Sequence, residues 1–257
     1  MSQRKKILSL YRNLLLKYGP QGWWPILSRA NQRGFDEKGY HPSLYDYPNS
    51  SSERYEVVVG AILTQNTAWK NVEKALSNLF YNDLLSPEKI SNSEQNALAQ
   101  LIRPAGYYNQ KAIKLKHITE WFVSNDCTIS KISAKIRLVR VDSKAYEEVV
   151  DPLIKEARED LLKVHGVGPE TADSILLYAY HLPIFVVDSY TKRIFQHHKI
   201  CKLTGNHTVD YHTIQDAVHS AFIQYDPTSK EKFFNEFHAL IVEEGKNFKN
   251  SKMSVRD

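Results

Sequence analysis

The chain has 257 residues, 42% of them hydrophobic and 25% charged, with a formal net charge of +5. That is enough chain for a self-sufficient core in one large or two small domains, and no apolar run approaches the roughly 20 residues of a membrane span. Two cysteines, Cys127 and Cys201, exclude a disulfide framework and any four-cysteine zinc or iron–sulfur site, while the modest positive charge permits a polyanionic partner without demanding one.

The N-terminal run MSQRKKILSLYRNLLLKYGP is basic, then apolar, but lacks a small-residue cleavage site and carries Arg12, Asn13 and Lys17 within its apolar part. It reads as an amphipathic helix, with Leu8, Tyr11, Leu15 and Tyr18 spaced at three and four, rather than as a signal peptide. Arg29 to Arg54, rich in Asn, Gly, Pro, Ser and Tyr, reads as a long loop. Helical spacing resumes at Val58, Ile62 and Leu63 and again at Val72, Ala75, Leu76 and Leu79. Leu85 to Glu94 (LSPEKISNSE) holds turn and cap residues. Cys127 to Pro152 is charged and irregular, and reads as an insertion carrying one short helix. Leu161, Leu162, Ile175, Leu176 and Ala179 restore the helical period, as do Phe233, Phe237, Leu240 and Ile241. PIFVVD is the one strand-like stretch, short and without an evident partner. The tail after Gly245 is basic and polar and reads as a fraying end. An all-α fold follows.

Three short stretches carry chemistry. Gly166-Val167-Gly168 lies between two apolar helical segments. Pro169 suits the first turn of the second helix, and Thr171 and Ala172 keep that helix slim. This is a helix–hairpin–helix arrangement, whose free amides at a helix N-terminus suit a phosphate; a plain tight turn between packed helices is the alternative. Asp188 ends a run of valines and aromatics just before SYTKR, a helix start, where an aspartate serves as N-cap. GWWPIL sets Trp23, Trp24 and Pro25 side by side, either as a hydrophobic staple from the N-terminal arm or as an aromatic wall. The ten histidines, among them His197, His198, His207, His212 and His219, show no metal-ligand spacing and no cysteine partners, so no metal site is expected.

Taken together, LLKVHGVGPETADSILLYA and PIFVVDSYTKR resemble the hairpin-plus-aspartate signature of the endonuclease III superfamily of DNA glycosylases. GAILTQNTAWKNVEKAL and IRPAGYYNQKAIKL are similar to its two DNA-inserting loops, and the likeness spans about half the chain. With WWP added, the pattern is closest to the 3-methyladenine DNA glycosylase III branch, which lacks both an iron–sulfur cluster and a Schiff-base lysine. The resemblance implies a helix–hairpin–helix glycosylase fold: a central helical barrel over 52–187, a second discontinuous helical domain from 1–51 and 188–257, and a cleft between them.

It also implies roles. Asp188 would stabilise the positive charge that develops on the sugar as the base leaves, and orient the attacking water. Trp23, Trp24, Pro25 and Trp69 would line the base pocket, whose ring faces suit a cationic alkylated purine. Gln65 would enter the duplex where the nucleotide is flipped out, and Tyr107 would wedge beside the orphaned partner base, with Tyr108 below it. Asn109, Gln110 and Lys111 offer phosphate or loop-bracing contacts. The amides of Gly166 and Gly168 would hold a phosphate, the carbonyls of Leu162, Val164 and Val167 can hold Na+ or K+, and Thr191, Lys192 and Arg193 would reach the backbone; the last two equally suit a solvated helix face. Strand-cutting members carry a lysine two residues after the second glycine. Here that residue is Glu170, which cannot form an imine, so a glycosylase without lyase activity is expected. Branch members can carry a lysine after a histidine–glycine pair on the last core helix. Set against FHALIVEEGK, that motif puts His238 and Ala239 at the pair and Leu240 at the lysine, a departure that weakens the transfer of substrate preference. The expected partner is duplex DNA with a damaged base, bound by a cytoplasmic, nucleoid-associated monomer that needs no cofactor and no membrane. A neutral lesion, such as mismatched uracil or thymine or an oxidised purine, and a non-catalytic lesion-binding role are the alternatives.

Overall fold

The computed structural model describes residues 1–138, 148, 150–201 and 210–253, with side chains through 247. Among these the regular structure is all helical, with no strand. The helices are α1 (Gln3–Tyr18), α2 (Ser51–Leu63), α3 (Trp69–Tyr81), α4 (Pro87–Asn92), α5 (Gln95–Leu101), α6 (Tyr108–Arg137), α7 (Asp151–Leu162), α8 (Pro169–Ser174), α9 (Ser189–His197), α10 (Tyr211–Ala221) and α11 (Pro227–Met253). A π-helical turn, Ile175–Ala179, continues α8.

Helix α1 begins where the Ser2 side chain accepts from the Lys5 amide and ends at Gly19. It packs through Ile7, Leu10 and Leu14 onto a group formed with α10 and α11, and α9 joins that group against α11. Helix α2 is the axis of the other group. Every residue from Tyr55 to Leu63 is buried, against α6, α8 and the π-helical turn. An axial helix is apolar around its whole circumference, which accounts for its weak amphipathic pattern.

The polar stretch before α2 is an ordered loop pinned by two acids of the helix below it. Glu53 closes a capping box with Ser50 and binds the Arg29 guanidinium at 2.5 Å. Glu56, 2% exposed, accepts from the amides of Leu27 and Ser28. Gly39, at φ +86°, passes so close to Ile26 that a Cβ would lie 2.1 Å from its carbonyl oxygen, so no other residue fits there. Burial pushes the Glu56 carboxyl from its ordinary 4.5 up to about 7, against the pull of the Ser28 and Leu27 contacts. The folded state therefore binds the extra proton between those values, and stability falls as pH rises through that window. Glu56→Gln is expected to flatten this slope in urea unfolding measured at pH 5, 6 and 7.

Three expectations need correction. Residues 51–54 belong to α2, not to the loop. Cys127 to Arg137 is not irregular: it is the last third of α6, a 30-residue helix, held by buried Ile129 and Ile136 with Ile132 half-buried. Those isoleucines repeat at three and four, a period masked by the lysines and serines between them. Within the rest of that stretch, 139–147 and 149 lie outside the described residues, and α7 opens at Asp151. The tail does not fray at Gly245, since α11 runs on to Met253. Gly245 is a packing glycine rather than a helix stop. A Cβ there would lie 2.3 Å from the Tyr190 ring.

The PIFVVD stretch is extended and buried, yet pairs with no strand. Side chains of α10 satisfy its backbone instead. Gln215 donates to the Phe185 carbonyl at 2.8 Å, and the Phe185 amide donates to His219 Nε2 at 3.1 Å. Burial pushes the His219 imidazole down to about 4, which keeps that nitrogen an acceptor. This clamp fixes the stretch leading from Phe185 to Asp188.

Candidate active site

Asp188 is the N-cap of α9 and 9% exposed. Its Oδ1 accepts from the Thr191 amide at 2.7 Å and the Thr191 hydroxyl at 2.8 Å. Those two bonds leave Oδ2 free, and His238 Nε2 of α11 approaches it to 3.8 Å. Behind His238, the Tyr178 hydroxyl lies 2.6 Å from Nδ1. Tyr178 in turn meets the Trp24 ring edge to face, with centroids 5.4 Å apart. A continuous chain of side chains thus links the carboxylate to the tryptophans.

The indoles form one cluster. Trp23 and Trp24 are 5.4 Å apart, Trp24 and Trp69 5.1 Å, and Trp23 and Trp69 4.7 Å. Trp24 is 4% exposed and lies so close to α2 that a Cβ on Gly60 would meet its Nε1 at 2.9 Å. Trp24 therefore anchors the arm to the core, while half-buried Trp23 and Trp69 present surface. Pro25 and Trp69 line an open cavity of about 910 Å³ with Tyr40, Tyr190 and Lys246. Lys246 Nζ stands 5.9 Å from the centre of the Trp23 ring. Leu240, aligned with the branch lysine in the sequence, is fully buried in the core. The glycine–lysine pair that reaches the aromatic cluster is Gly245-Lys246, further along α11.

The hairpin is held by Gln65. Its amide donates to the Gly166 carbonyl at 2.9 Å and the Thr171 hydroxyl at 3.0 Å, and accepts from Lys114 Nζ at 2.6 Å. Gly166, at φ +83°, leaves no room for a Cβ against the Lys114 side chain. In this state the glutamine ties the TQNT turn to the hairpin. The exposed tip of that turn is Asn66, in the left-handed region at φ 52°. Gly168 is exposed, with open space around its Cβ position, at the N-terminus of α8. Tyr107 is 69% exposed at the start of α6, and Tyr108 is half-buried behind it.

Of the residues assigned to DNA contact, two face inward instead and a third is engaged between helices. Lys111 is 2% exposed, and its ammonium donates to the Leu63 carbonyl, the Thr67 hydroxyl and the Ala105 carbonyl at 2.6–2.8 Å. Burial, then the charge of Lys114, pulls it down to about 8. Three protons meet three acceptors, which makes Lys111 the brace between both loops. Lys111→Met leaves those acceptors unpaired and is expected to cost ~1–3 kcal/mol in denaturant unfolding. Thr191 is fully buried with both donors on Asp188. Arg193 donates to the Gly245 carbonyl at 3.2 Å and stacks on Tyr190, so it joins α9 to α11. Lys192 is half-buried.

Glu170 lies exposed in the first turn of α8. Desolvation by its surroundings, then the charge of Asp188, pushes its carboxyl up to about 7, with Lys192 pulling the other way. Neither cysteine suits a cluster: Cys127 is exposed on α6 and Cys201 is buried beyond α9, and two thiols on separate elements do not fit four-thiolate ligation. Among the described residues no group of His, Cys, Asp or Glu could hold a metal ion, and no helix is long and apolar enough to cross a membrane. The Val164 carbonyl accepts from the Val167 amide at 3.1 Å, with a second lone pair left over.

Residues 59–213 match the family model of HhH-GPD superfamily base excision DNA repair proteins. The chain belongs to that superfamily. It is 40% identical, over 94% of its own length and 88% of the relative's, to a Methanocaldococcus jannaschii protein named as a DNA repair glycosylase. It is 27% identical over 73% of its length to endonuclease III homolog 1 of Arabidopsis thaliana, covering 43% of that protein. Among solved structures it is similar to the 3-methyladenine DNA glycosylase of H. pylori bound to 1,N6-ethenoadenine, at 26% identity and a TM-score of 0.60, over 96% of this chain and 98% of that one. The helix–hairpin–helix fold and the membership in base excision repair expected from the hairpin-plus-aspartate motif are thereby established.

Sequence reasoning did not single out His238 or Tyr178, which the fold sets beside Asp188, and it set Leu240 at the place of the branch lysine without considering Lys246. No local signal marks His238, because its partners Asp188 and Tyr178 lie far away along the chain. Gly245 did carry a signal: a glycine inside a long helical pattern marks a close approach as readily as an end.

Proposed function

We propose that this superfamily member is a monofunctional DNA glycosylase that hydrolyses the N-glycosidic bond of a flipped-out damaged base in duplex DNA, with an alkylated purine such as 3-methyladenine as substrate. One observation carries the reading. Asp188 is a buried carboxylate with one oxygen locked by Thr191 and the other held by no hydrogen bond, 3.8 Å from His238 Nε2. A fixed anion there stabilises the positive sugar without reorganising. A cationic base is already a good leaving group, so stacking, shape and Asp188 suffice. The similarity to the H. pylori 3-methyladenine glycosylase supports the branch.

In this reading the pocket wall is Trp23, Trp24, Pro25 and Trp69, although Trp24 is 4% exposed. The hairpin amides at Gly166 and Gly168 take a phosphate, a monovalent cation sits on the carbonyls of Leu162, Val164 and Val167, and Tyr107 wedges. Gln65 enters the duplex only by releasing its three hydrogen bonds at the hairpin. The cleft lies between the group built on α2 and the group of α1, α9, α10 and α11.

Glu170 is the residue that sets the reading apart from strand-cutting relatives. A carboxylate cannot condense with the opened sugar, so borohydride added during reaction is expected to trap no protein–DNA adduct on a denaturing gel. A trapped adduct would mean that some amine of this chain attacks the sugar.

A second reading, a neutral lesion, is favoured by Lys246. Its ammonium over Trp23 competes with a cationic base for the same ring and offers a donor to a neutral one. Duplexes each carrying one modified base, scored for abasic sites after alkali, separate the two readings. Release of 3-methyladenine ahead of 1,N6-ethenoadenine, uracil and oxidised purines supports the first. Release confined to neutral bases supports the second, and tight binding with no abasic product from any duplex indicates a non-catalytic lesion binder.

A further inference from the structure

We infer that His238 is a second catalytic residue: its Nε2–H and the free Oδ2 of Asp188 together hold the water that attacks the anomeric carbon. The inference rests on the glycosylase reading and adds to it the origin and placement of the nucleophile.

His238 is 9% exposed, and its Nε2 has no hydrogen-bond partner. A buried ring nitrogen left unpaired is costly unless something occupies the site during function. The tautomer follows from the surroundings. Nδ1 shares a single proton with the Tyr178 hydroxyl at 2.6 Å, and that hydroxyl also faces the Asn235 carbonyl at 3.4 Å. With the ring's proton on Nδ1, the Nε2 lone pair would point at a carboxylate oxygen 3.8 Å away. With the proton on Nε2, a donor points there and Tyr178 donates to Nδ1. The Asp188 charge selects the second arrangement. Burial pushes the imidazole down and the Tyr178 phenol well up, so the ring stays neutral and the hydroxyl keeps its proton.

The 3.8 Å gap is too long for a direct hydrogen bond, yet a water at the apex of the triangle sits about 2.8 Å from both atoms. Such a water accepts from His238 Nε2–H and donates one proton to Asp188 Oδ2. Its remaining lone pair is free for carbon. In the reaction the base–C1′ bond breaks, and the base keeps the electron pair. The water oxygen bonds to C1′, and its proton passes to Asp188 Oδ2. No oxidant or co-reactant is needed. Thr191 already fills Oδ1, so Oδ2 alone can take the proton.

The test uses the full chain and a lesion duplex that the wild type processes, under single turnover in water–methanol mixtures. Methanol competes for the sugar and gives a methyl glycoside beside the hydrolysed product. A site that seats one water favours hydrolysis over the bulk ratio of the two nucleophiles. We expect His238→Phe and His238→Asn to slow release ~10–100-fold and to move the product ratio toward the bulk value, with affinity for a tetrahydrofuran abasic-analogue duplex unchanged. His238→Gln, whose amide nitrogen reaches the Nε2 position, should restore both. If His238→Phe does not melt cooperatively, the Asn and Gln pair decides. Wild-type rates and product ratios in the Phe and Asn variants would overturn the inference and leave the glycosylase reading standing. Absence of base release by the wild type from every lesion duplex would remove that reading, and this inference with it.

Discussion

Asp188→Asn is expected to lower base release by at least ~100-fold while leaving the unfolding midpoint nearly unchanged. Asparagine and aspartate are comparable N-caps. The side-chain carbonyl of the substituted asparagine can still accept from the Thr191 amide, the bond that starts α9 at 2.7 Å. What disappears is the negative charge that the proposed reaction sets against the sugar. Preorganised electrostatic groups of this kind are worth ~2.7–4 kcal/mol in other active sites, or about 10²–10³ in rate. Single-turnover release gives the loss, and binding to an abasic-analogue duplex checks that DNA recognition survives. Alanine is the poorer probe, because it removes the cap as well as the charge. Wild-type release by the Asn variant would show that the carboxylate is only a helix cap.

Asp173→Ala is expected to destabilise the fold by ~3–5 kcal/mol, the range for removing one partner of a buried ion pair. Asp173 is fully buried on α8. Its Oδ1 accepts from Arg158 Nε at 2.6 Å; its Oδ2 accepts from Tyr211 at 2.6 Å, Gln215 at 2.8 Å and the Arg158 terminal nitrogen at 3.2 Å. One carboxylate thus ties α7, α8 and α10 together. Its loss leaves a largely buried guanidinium, a phenol and an amide without their acceptor. Burial and then the neighbouring Asp173 charge hold the Tyr211 phenol well above its ordinary range, so it acts only as donor. Urea unfolding of the alanine and asparagine variants measures the effect, with asparagine intermediate. Gln215 also holds the Phe185 carbonyl, so a folded Asp173 variant should show faster amide exchange along residues 185–188. A loss below ~1 kcal/mol would mean that apolar packing alone joins these helices.

Local order decided what could be read in advance. The hairpin was legible because a tight turn between packed helices needs its glycines, proline and slim helix within a few adjacent residues. Asp188 was legible as a helix cap because an aspartate just before SYTKR suits that place by local sequence alone. Lys111 and Thr191 were legible as residues beside the motifs, but sequence position could not say which way they point. Both turn inward, since the carbonyls closing α2 and the carboxylate of Asp188 need donors more than the solvent does. The last third of α6 was missed because lysines on its outer face mask the isoleucines on its inner one.

By itself the sequence determined the helical class, the hairpin, the carboxylate at the start of α9 and the absence of cysteines for a cluster. Each depends on residue type and on short local spacings. Tertiary structure alone decided that His238 faces Asp188, that Lys246 rather than Leu240 reaches the tryptophans, and that Gln65 closes on the hairpin. Those pairings join residues far apart along the chain, and their geometry is set by how whole helices cross, which no local pattern encodes.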